Sequence, residues 1–590
     1  MKNYEKSWMK KHKYAILSGL LILLISLLRV LAGSYRGPVY YVNGLLDERL
    51  MLIYSDFPSY FANENINSLL KYLSFPWMLN LPSITGLSFS TIYSLSWVLG
   101  GLLCYFPMKR IAGRWWALVV FALILFMPQG FETSTGVHLY RNLIIAPFFY
   151  VWFGLMTDLF LISFEKVTKR SVSAFLILNV CLAVLYPFVY FIKEDSFWMK
   201  PVIYLLIAIE AGMLIYHLVQ FCKNHVRGVQ LTGIALCLTA AFLPLLSFQK
   251  ASADYIAANQ KYFGYPHYTI RTDGETAGFM ERIYKIESPE RNLQIWSPYD
   301  ALEKAFSVSE TLENDPQMRK GIFESAWTNK GESAIGGDYL SWVLVNAIWG
   351  DDQIGSAEKA EEYFAQVNRE LDQAFEDGLL RKDTRLQLTS SAGGRNPEEI
   401  AELFGPLISF YAQMLTFNDF QSNPKYPVEY SENLEPFLTK LNHDIVYPQD
   451  AEDEKRMIER AEIGSEFTRM DFRVYHYVIP VLFGLGLTAW FAAFFLQFGK
   501  RETPLRVRLS LILVFFLIAL SIGYTIGIVW FSQFLFWHKE YPRMMNVLIY
   551  YGPGASSMFY LGIFFAVPLW KWIITGRSER TGAALQPEKS

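Results

Sequence analysis

Two adjacent carboxylates, Asp47 and Glu48, have the clearest capacity for chemistry in this sequence, and Arg49 follows them directly. The residues around the three charges are apolar: Leu45, Leu46, Leu50 and Met51. Charged groups in an apolar stretch near a membrane are costly to desolvate and are therefore often functional. An acidic pair of this kind offers either acid–base catalysis or oxygen ligands for a divalent cation.

Further charged residues lie in segments that connect apolar runs. They are Asp56, Lys71, His138, Arg141, Lys193, Glu194, Asp195, His538, Lys539, Glu540 and Arg543. If the topology argued below holds, four of these segments meet on one face of the membrane. The alternative for each segment is an ordinary solvated loop, and that alternative is stronger for 193–195 and 538–540 than for the acidic pair.

The composition places the 590-residue chain among polytopic membrane proteins. Hydrophobic residues make up 52% and aromatic residues 16% of the sequence, which is too apolar for a soluble protein of this size. The formal net charge of −2 carries little information, because the charges are segregated along the chain.

The apolar runs predict about ten membrane spans. They cover 14–28, 86–106, 115–128, 143–164, 172–192, 202–221, 229–248, 474–498, 509–534 and 547–574. Basic segments at 109–114, 166–170, 223–227 and 500–508 separate alternate pairs of runs, and Arg577 and Arg580 follow the last one. Positively charged loops stay in the cytoplasm, so both termini are expected inside. The lysine-rich start followed by an apolar run is also compatible with a signal peptide, but an uncleaved first span fits the many later spans better.

The chain divides into two membrane parts and one polar interval. Residues 1–248 hold about seven spans, with an acidic first outer loop at 33–66, and residues 473–590 hold about three spans and a cytoplasmic tail. Residues 67–83 are apolar but contain Lys71, Asn80 and two prolines, which favours a helix that lies on the outer interface without crossing the membrane.

Residues 249–472 are expected to form a large, mainly helical extracytoplasmic domain. Apolar residues recur at helical spacing from Ala357, and Gly378 supplies a stop. A second helix is predicted to start at Asn396-Pro397, whose types suit an N-cap and a first turn, and to run toward Leu415. A charged helix at 451–466 leads back to the membrane. The fold class is therefore mainly α, a transmembrane bundle with one large helical domain.

Several function classes are disfavoured. The polar interval is rich in acidic residues, which argues against nucleic acid as a partner. The four cysteines lie in or beside predicted spans, so no disulfide framework is expected in the domain. The sequence has no phosphate-binding glycine loop and no spaced Cys/His set for zinc.

The whole arrangement resembles the GT-C class of membrane glycosyltransferases, in a bacterial branch. One span, an outer loop with an acidic pair, an interfacial helix, a multispan bundle and a large extracytoplasmic domain follow in the order of that class. The Asp47-Glu48 pair is similar to the acidic first-loop motif of the class. The stretches Leu70-Lys71-Tyr72-Leu73-Ser74-Phe75-Pro76 and His138-Leu139-Tyr140-Arg141 also resemble segments of bacterial members. The large domain departs from the usual arrangement, because it lies between spans and not at the carboxyl end.

The resemblance implies an enzyme that moves a sugar from a polyprenyl-phosphate carrier to a glycan or protein acceptor outside the membrane, in cell-envelope assembly. Asp47 would take the proton of the acceptor hydroxyl, and Glu48 would orient it or share Mg²⁺ or Mn²⁺ with it. The leaving phosphate needs positive charge, and the candidates are Arg49, Lys71, His138, Arg141 and Arg543. Inversion at the anomeric carbon is expected.

Three other functions remain open from the sequence. A glycan polymerase or ligase would depend more on Arg141 and Arg543 than on Asp47. A non-catalytic envelope receptor or scaffold would use the domain 249–472 to bind a partner. A secondary transporter would need polar residues and broken helices at mid-bilayer, and the sequence offers few of them.

Overall fold

The computed structural model describes residues 2–36, 46–57, 60, 69–132, 139–223, 228–325, 334–424, 448, 450–497, 503–534 and 552–575. Side chains are described for these residues except 2–12, 36, 46–49 and 228–230.

Within the described residues, nine helices are long and apolar enough to cross a membrane. They are Lys13–Tyr35, Phe89–Ala112, Asn142–Ser163, Lys169–Tyr190, Glu194–Lys223, Leu231–Phe263, Ala451–Gln497, Leu505–Ser532 and Pro553–Thr575. The run predicted at 115–128 forms the helix Arg114–Leu125, whose 12 residues are fewer than the roughly 20 that a span requires. The prediction of a mainly helical, polytopic membrane protein is confirmed.

The centre of the bundle is the helix Asn142–Ser163, in which every residue is buried. It packs against Phe89–Ala112 through glycines that let the two backbones approach closely. A Cβ atom on Gly100 would lie 2.8 Å from the carbonyl oxygen of Pro147, and a Cβ atom on Gly154 would lie 2.6 Å from the backbone of Leu103. The absence of a side chain at Gly100 and Gly154 therefore allows the short distance between these two helices.

The part of the chain between the two membrane regions is mainly helical, as predicted. Its described helices after Leu243–Phe263 are Gly274–Lys285, Tyr299–Val308, Glu310–Glu313, Pro316–Phe323, Tyr339–Trp349, Ala357–Glu376, Pro397–Glu402 and Phe404–Thr416. Two short strands, Ile295–Pro298 and Ala334–Gly336, pair antiparallel. The predicted helix at 357 is confirmed, with Ser356 as its N-cap and Gly378 in the left-handed region after its end. Asn396 caps the start of the second predicted helix through a capping box with Glu399, but the structure divides that helix at Leu403 into Pro397–Glu402 and Phe404–Thr416.

Two continuous helices connect the bundle to the large domain. Leu243–Phe263 runs through the predicted boundary at 248, and Ala451–Gln497 runs through the one at 472. The domain division at these two positions stays a prediction, because neither one coincides with a break in secondary structure.

The segment predicted as one interfacial helix forms two short helices, Ser74–Met78 and Leu81–Thr85. Pro82 lies in the first turn of the second helix, where its missing N–H costs nothing, and it favours a new helix start at this point. Most apolar side chains before it are buried, while Trp77 and Ile84 are exposed. The segment is therefore a packed cover on the bundle and not a free amphipathic helix.

Two hydrogen bonds of Trp530 connect the large domain to the helix Leu505–Ser532. The Trp530 indole donates to the carbonyl of Gly393 at 3.1 Å, and the Arg395 guanidinium donates to the carbonyl of Trp530 at 3.1 Å. On the same joint, Gly337 has a φ of +43°, and a Cβ atom there would lie 2.1 Å from Phe534. Glycine at 337 therefore meets both a conformational and a steric requirement.

We expect Gly337→Ala to destabilise the protein more than Gly378→Ala does. Both glycines have positive φ, which costs an alanine about 1 kcal/mol. Only Gly337 is crowded, since nothing lies within 4 Å of a Cβ on Gly378, and overpacking adds about 1–3 kcal/mol. Thermal unfolding of the two purified variants in detergent measures the difference, and equal unfolding temperatures would contradict the joint described here.

Candidate functional site

Five buried or half-buried charged residues meet where the bundle contacts the large domain. They are Lys71, Arg141, Glu194, Arg271 and Asp338, which we call the junction cluster. Lys71, Arg141 and Glu194 belong to the bundle side, and Arg271 and Asp338 belong to the domain. The site therefore exists only when the two parts of the protein are docked.

The ends of helices position most members of the junction cluster. Arg141 directly precedes the central helix Asn142–Ser163, and Asp338 directly precedes the apolar helix Tyr339–Trp349. Glu194 starts a short 3₁₀-helix after the span Lys169–Tyr190. A carboxylate at a helix start is favoured by the helix dipole, which explains acidic residues at the last two positions.

Glu194 is at the centre of the cluster. Its carboxylate pairs with the Arg141 guanidinium and lies 3.9 Å from Arg271. The backbone N–H of Tyr72 donates to the same carboxylate at 3.1 Å. The side chains of Arg141 and Glu194 are only 7% and 8% exposed, so this pair is shielded from solvent and its interaction is stronger than that of a surface ion pair.

Lys71 contacts both parts of the protein. Its ammonium donates to the hydroxyl of Tyr140 at 2.5 Å and lies 4.7 Å from the centre of that ring. On the domain side, the ammonium lies 5.2 Å from the Trp342 ring. Trp342 belongs to the helix that Asp338 precedes, so this helix supplies both an aromatic face and a carboxylate to the junction cluster.

The Arg271 guanidinium pairs with Asp338. The loop that carries Arg271 is tied to the Lys71 segment by a backbone hydrogen bond, in which Ile270 N–H donates to the carbonyl of Leu69 at 3.1 Å. Burial raises the pKa of Asp338 above its ordinary value, and the neighbouring Arg271 opposes that rise. The two domain residues thus form a pair that faces the bundle.

A second charged pair adjoins the junction cluster in sequence. The Lys193 ammonium donates to the Asp195 carboxylate at 2.8 Å, and the Tyr524 hydroxyl donates to the same oxygen at 3.0 Å. Tyr524 belongs to the helix Leu505–Ser532, so the loop around Glu194 is fixed by a late span as well. These contacts hold the Glu194 backbone in place.

Stacked aromatic rings form one wall beside Glu194. The rings of Phe191 and Tyr255 are parallel, with centroids 5.0 Å apart, and Tyr72 meets Phe191 edge-on at 5.2 Å. Tyr268 closes the group at 5.6 Å from Phe191. Aromatic walls exclude water, and the lower effective dielectric strengthens the interactions of the neighbouring charges.

The structure brings together two of the residues that the sequence singled out, Lys71 and Arg141. The backbone of Asp47, Glu48 and Arg49 lies in the helix Leu46–Ser55, but their side chains fall outside the described residues, as do His138 and Arg543 entirely. The roles assigned to these residues stay predictions.

The helix of the acidic pair packs next to the Lys71 segment. Helix Leu46–Ser55 contacts the helix Ser74–Met78, which starts directly after Leu73. The Asn80 amide donates to the carbonyl of Ser55 at 2.9 Å, and this bond anchors the end of the helix. The acidic pair and the junction cluster are thus carried by neighbouring elements.

Two members of the junction cluster, Arg271 and Asp338, were not among the sequence candidates, and Glu194 was named only as one charged residue of a connecting segment. Glu194 was assigned to a segment that is more often a solvated loop, although its neighbours Phe191, Ile192, Phe197 and Trp198 give it the same apolar setting that singled out Asp47. Asp338 follows Gly336-Gly337, a pattern more typical of a turn than of a functional site. Arg271 carries no local signal, because its partners are distant in sequence.

The junction cluster does not fit a metal ion. Its two carboxylates, Glu194 and Asp338, face guanidinium groups that occupy the positions a cation would take. In the described part of the chain, no group of three or more His, Cys, Asp or Glu side chains is arranged to hold a metal. The predicted sharing of a divalent cation by Asp47 and Glu48 stays a prediction, because their side chains lie outside the described residues.

Neither a protein-family model nor a curated protein matches this chain. Two solved structures of the Archaeoglobus fulgidus oligosaccharyltransferase do, each at 12% identity. The first, a complex with Zn and sulfate, aligns with 75% of this chain at a TM-score of 0.24, and the chain spans 66% of its length. The second is a complex of AglB with an inhibitory peptide and a dolichol-phosphate. It aligns with 79% of this chain at a TM-score of 0.26, and the chain spans 69% of its length. At TM-scores this low the likeness carries no argument about fold detail or activity.

Proposed function

We propose that the protein is a membrane glycosyltransferase that moves a sugar from a polyprenyl-phosphate carrier to a glycan or protein acceptor in cell-envelope assembly. The observation that supports this proposal is the junction cluster, which places three cationic side chains between a membrane bundle and a large domain. A carrier lipid would lie in the bilayer and an acceptor would approach through the domain. In this proposal both termini are cytoplasmic and the domain is outside, which requires the shorter apolar helix Arg114–Gly130 to complete a tenth crossing.

The charge of the junction cluster suits a phosphate. Among its five residues Lys71, Arg141 and Arg271 are cationic and Glu194 and Asp338 are acidic, so the cluster itself offers three cationic donors and two carboxylates that orient them. Phosphate groups form short, charge-assisted hydrogen bonds with lysine and arginine. Donors that are already oriented by neighbouring residues stabilise charge on a leaving group without reorganisation.

The acidic pair supplies the base in this proposal. Asp47 takes the proton of the acceptor hydroxyl as its oxygen attacks the anomeric carbon. The bond between that carbon and the carrier phosphate breaks, and the carrier leaves as a lipid phosphate beside the junction cluster. Glu48 orients Asp47 or shares a Mg²⁺ or Mn²⁺ ion with it, since both cations prefer carboxylate oxygens.

We expect Lys71→Met to lower sugar transfer about 10- to 100-fold, because a charged hydrogen bond to the leaving phosphate is worth about 1.5–3 kcal/mol. Methionine keeps most of the length of the side chain and removes the charge. The matched control is Lys250→Met, since that side chain is 74% exposed and its ion pair within the described residues is with Asp254, one helical turn away. Equal loss in both variants would contradict a role for Lys71 in binding phosphate.

The experiment that tests the proposed function is the sugar composition of the cell envelope in a strain that lacks the gene. A glycan component should disappear on deletion and return with the wild-type gene. An unchanged glycan profile in the deletion strain would argue against glycosyl transfer and in favour of a binding or scaffold protein.

A glycan polymerase or ligase is the second candidate, and the position of Arg141 in the junction cluster favours it. This alternative depends more on the arginines Arg141 and Arg543 than on a carboxylate that acts as a base. It predicts that Arg141→Lys loses the product while Asp47→Asn retains it. The same strain, complemented with each variant at equal membrane levels, separates the two candidates.

A further inference from the structure

A second cationic site lies on the long helix Ala451–Gln497, on elements different from those of the junction cluster. A cavity of about 490 Å³ separates this helix from the segment 416–423. We call it the helix-entry pocket, and its polar and aromatic lining includes Asn418, Gln421, Arg469, Phe472, Arg473 and His476. No acidic side chain is among the described residues that line it.

The basic residues of the pocket lie on one face of the helix. Arg469, Arg473 and His476 are spaced by four and three positions, which aligns them over two helical turns. Arg469 pairs with Glu466 at 2.5 Å, but both side chains are at least half exposed, so this pair is weak and exchangeable. Arg473 is exposed and makes no ion pair with any residue that the structure describes.

His476 is oriented by the opposite wall of the pocket. Its Nδ1 lies 2.7 Å from the carbonyl oxygen of Thr416. A carbonyl oxygen only accepts hydrogen bonds, so Nδ1 carries the proton in this contact. Nε2 is then the ring nitrogen that remains available to a ligand.

A strained backbone forms the wall of the pocket opposite the helix. Phe417 has a φ of +53°. Among the residues that the structure describes, it is the single non-glycine residue with a positive φ. This conformation ends the helix Phe404–Thr416 and turns residues 418–423 toward the long helix, where Phe420 packs on Phe472 at 5.6 Å. Strain of this kind persists where the surrounding structure holds it, often at binding sites.

The pocket opens where the exposed face of the long helix becomes apolar. Tyr477 also lines the pocket and is 71% exposed, and Val481, one turn further, is 60% exposed. A tyrosine with its ring toward lipid and its hydroxyl toward polar groups is typical of a membrane interface. Three acidic residues lie near the pocket and each has a partner. Glu132 accepts from the backbone N–H of Gln421 at 3.2 Å, Glu466 pairs with Arg469, and Asp419 accepts from the Gln413 amide.

We infer that the helix-entry pocket binds the phosphate group of a membrane lipid. Two guanidinium groups would hold the phosphate by charge-assisted hydrogen bonds, side-chain amides would add neutral ones, and the apolar face below would contact the hydrocarbon chains. The inference does not depend on the proposed transferase activity, since none of the pocket residues takes part in the junction cluster.

The test is lipid binding to the full chain purified in detergent and stripped of lipid. Native mass spectrometry and the rise in unfolding temperature report binding of phosphatidylglycerol, undecaprenyl phosphate, phosphatidylcholine and inorganic phosphate. We expect Arg473→Ala to weaken binding of the preferred lipid about tenfold, the double change with Arg469→Ala to weaken it further, and Arg473→Lys to retain part of it.

The matched control is Arg456→Ala, an exposed arginine on the same helix outside the pocket, which should bind lipid like the wild type. Tighter binding of phosphatidylglycerol identifies a bilayer lipid as the ligand, and tighter binding of undecaprenyl phosphate identifies a carrier lipid. Binding of inorganic phosphate alone, or unchanged lipid binding in Arg473→Ala and in the double variant, overturns the inference.

Discussion

Replacing Asp47 with Asn is expected to reduce sugar transfer by about 100- to 10,000-fold, the range for loss of a general base. Asparagine keeps the shape of the side chain and cannot accept the proton of the acceptor hydroxyl. The effect should appear in the rate of transfer and not in the level of protein in the membrane. The measurement is restoration of the missing glycan by the variant gene in the deletion strain at matched expression.

Asp56→Asn is the control for this prediction. Asp56 lies just after the helix of the acidic pair and is exposed, so its substitution should leave transfer unchanged. Glu48→Gln distinguishes the contributions of the two acidic residues to sugar transfer. A smaller loss of transfer than in Asp47→Asn would fit an orienting role for Glu48. Full restoration by both Asp47→Asn and Glu48→Gln would remove the acidic pair from the site.

Glu194→Gln is expected to destabilise the protein by about 3–5 kcal/mol, the cost of removing one partner from a buried ion pair. Glutamine leaves Arg141 and Arg271 close together with no carboxylate between them. Because one of the two guanidinium groups belongs to the domain, their repulsion should also loosen the contact between domain and bundle. Thermal unfolding of the purified chain measures the loss.

The control for Glu194→Gln is Glu303→Gln, which removes the partner of Arg319 in an exposed ion pair. Exposed pairs contribute about 0–1 kcal/mol, so this variant should unfold close to the wild type. If both variants unfold at the same temperature, the junction cluster does not hold the domain on the bundle.

The helical elements could be predicted from sequence because their signals are local. Ser356, the apolar spacing after it and Gly378 define one helix within a few residues of its observed ends. Asn396 and Glu399 form the predicted N-terminal cap of another. The segment 67–83 was less predictable, because its composition does not show that most of its apolar residues before Pro82 pack onto the bundle.

The site was only partly predictable, because its contacts join residues that are distant in sequence. The charges of Lys71 and Arg141 beside apolar runs were a local signal, and both residues lie in the junction cluster. Nothing local indicates that Arg271 reaches Glu194 or that Trp342 faces Lys71. Those contacts follow from the docking of the domain, which the sequence pattern does not define.

The docking also explains why a large domain lies between spans. Its two connecting helices, Leu243–Phe263 and Ala451–Gln497, extend from the bundle without a break. In the docked arrangement Arg271 and Asp338 lie against the bundle, and donors held in place before the reaction favour a preorganised site.

The most direct test uses the purified protein and lipid-linked sugars extracted from membranes of the deletion strain, where an unused donor accumulates. Incubated with acceptor membranes from the same strain, the wild type should transfer the sugar and release the carrier phosphate, and neither Asp47→Asn nor Lys71→Met should do so at a comparable rate. A wild-type protein that leaves the lipid-linked sugars intact, or variants that consume them at the wild-type rate, would contradict the account.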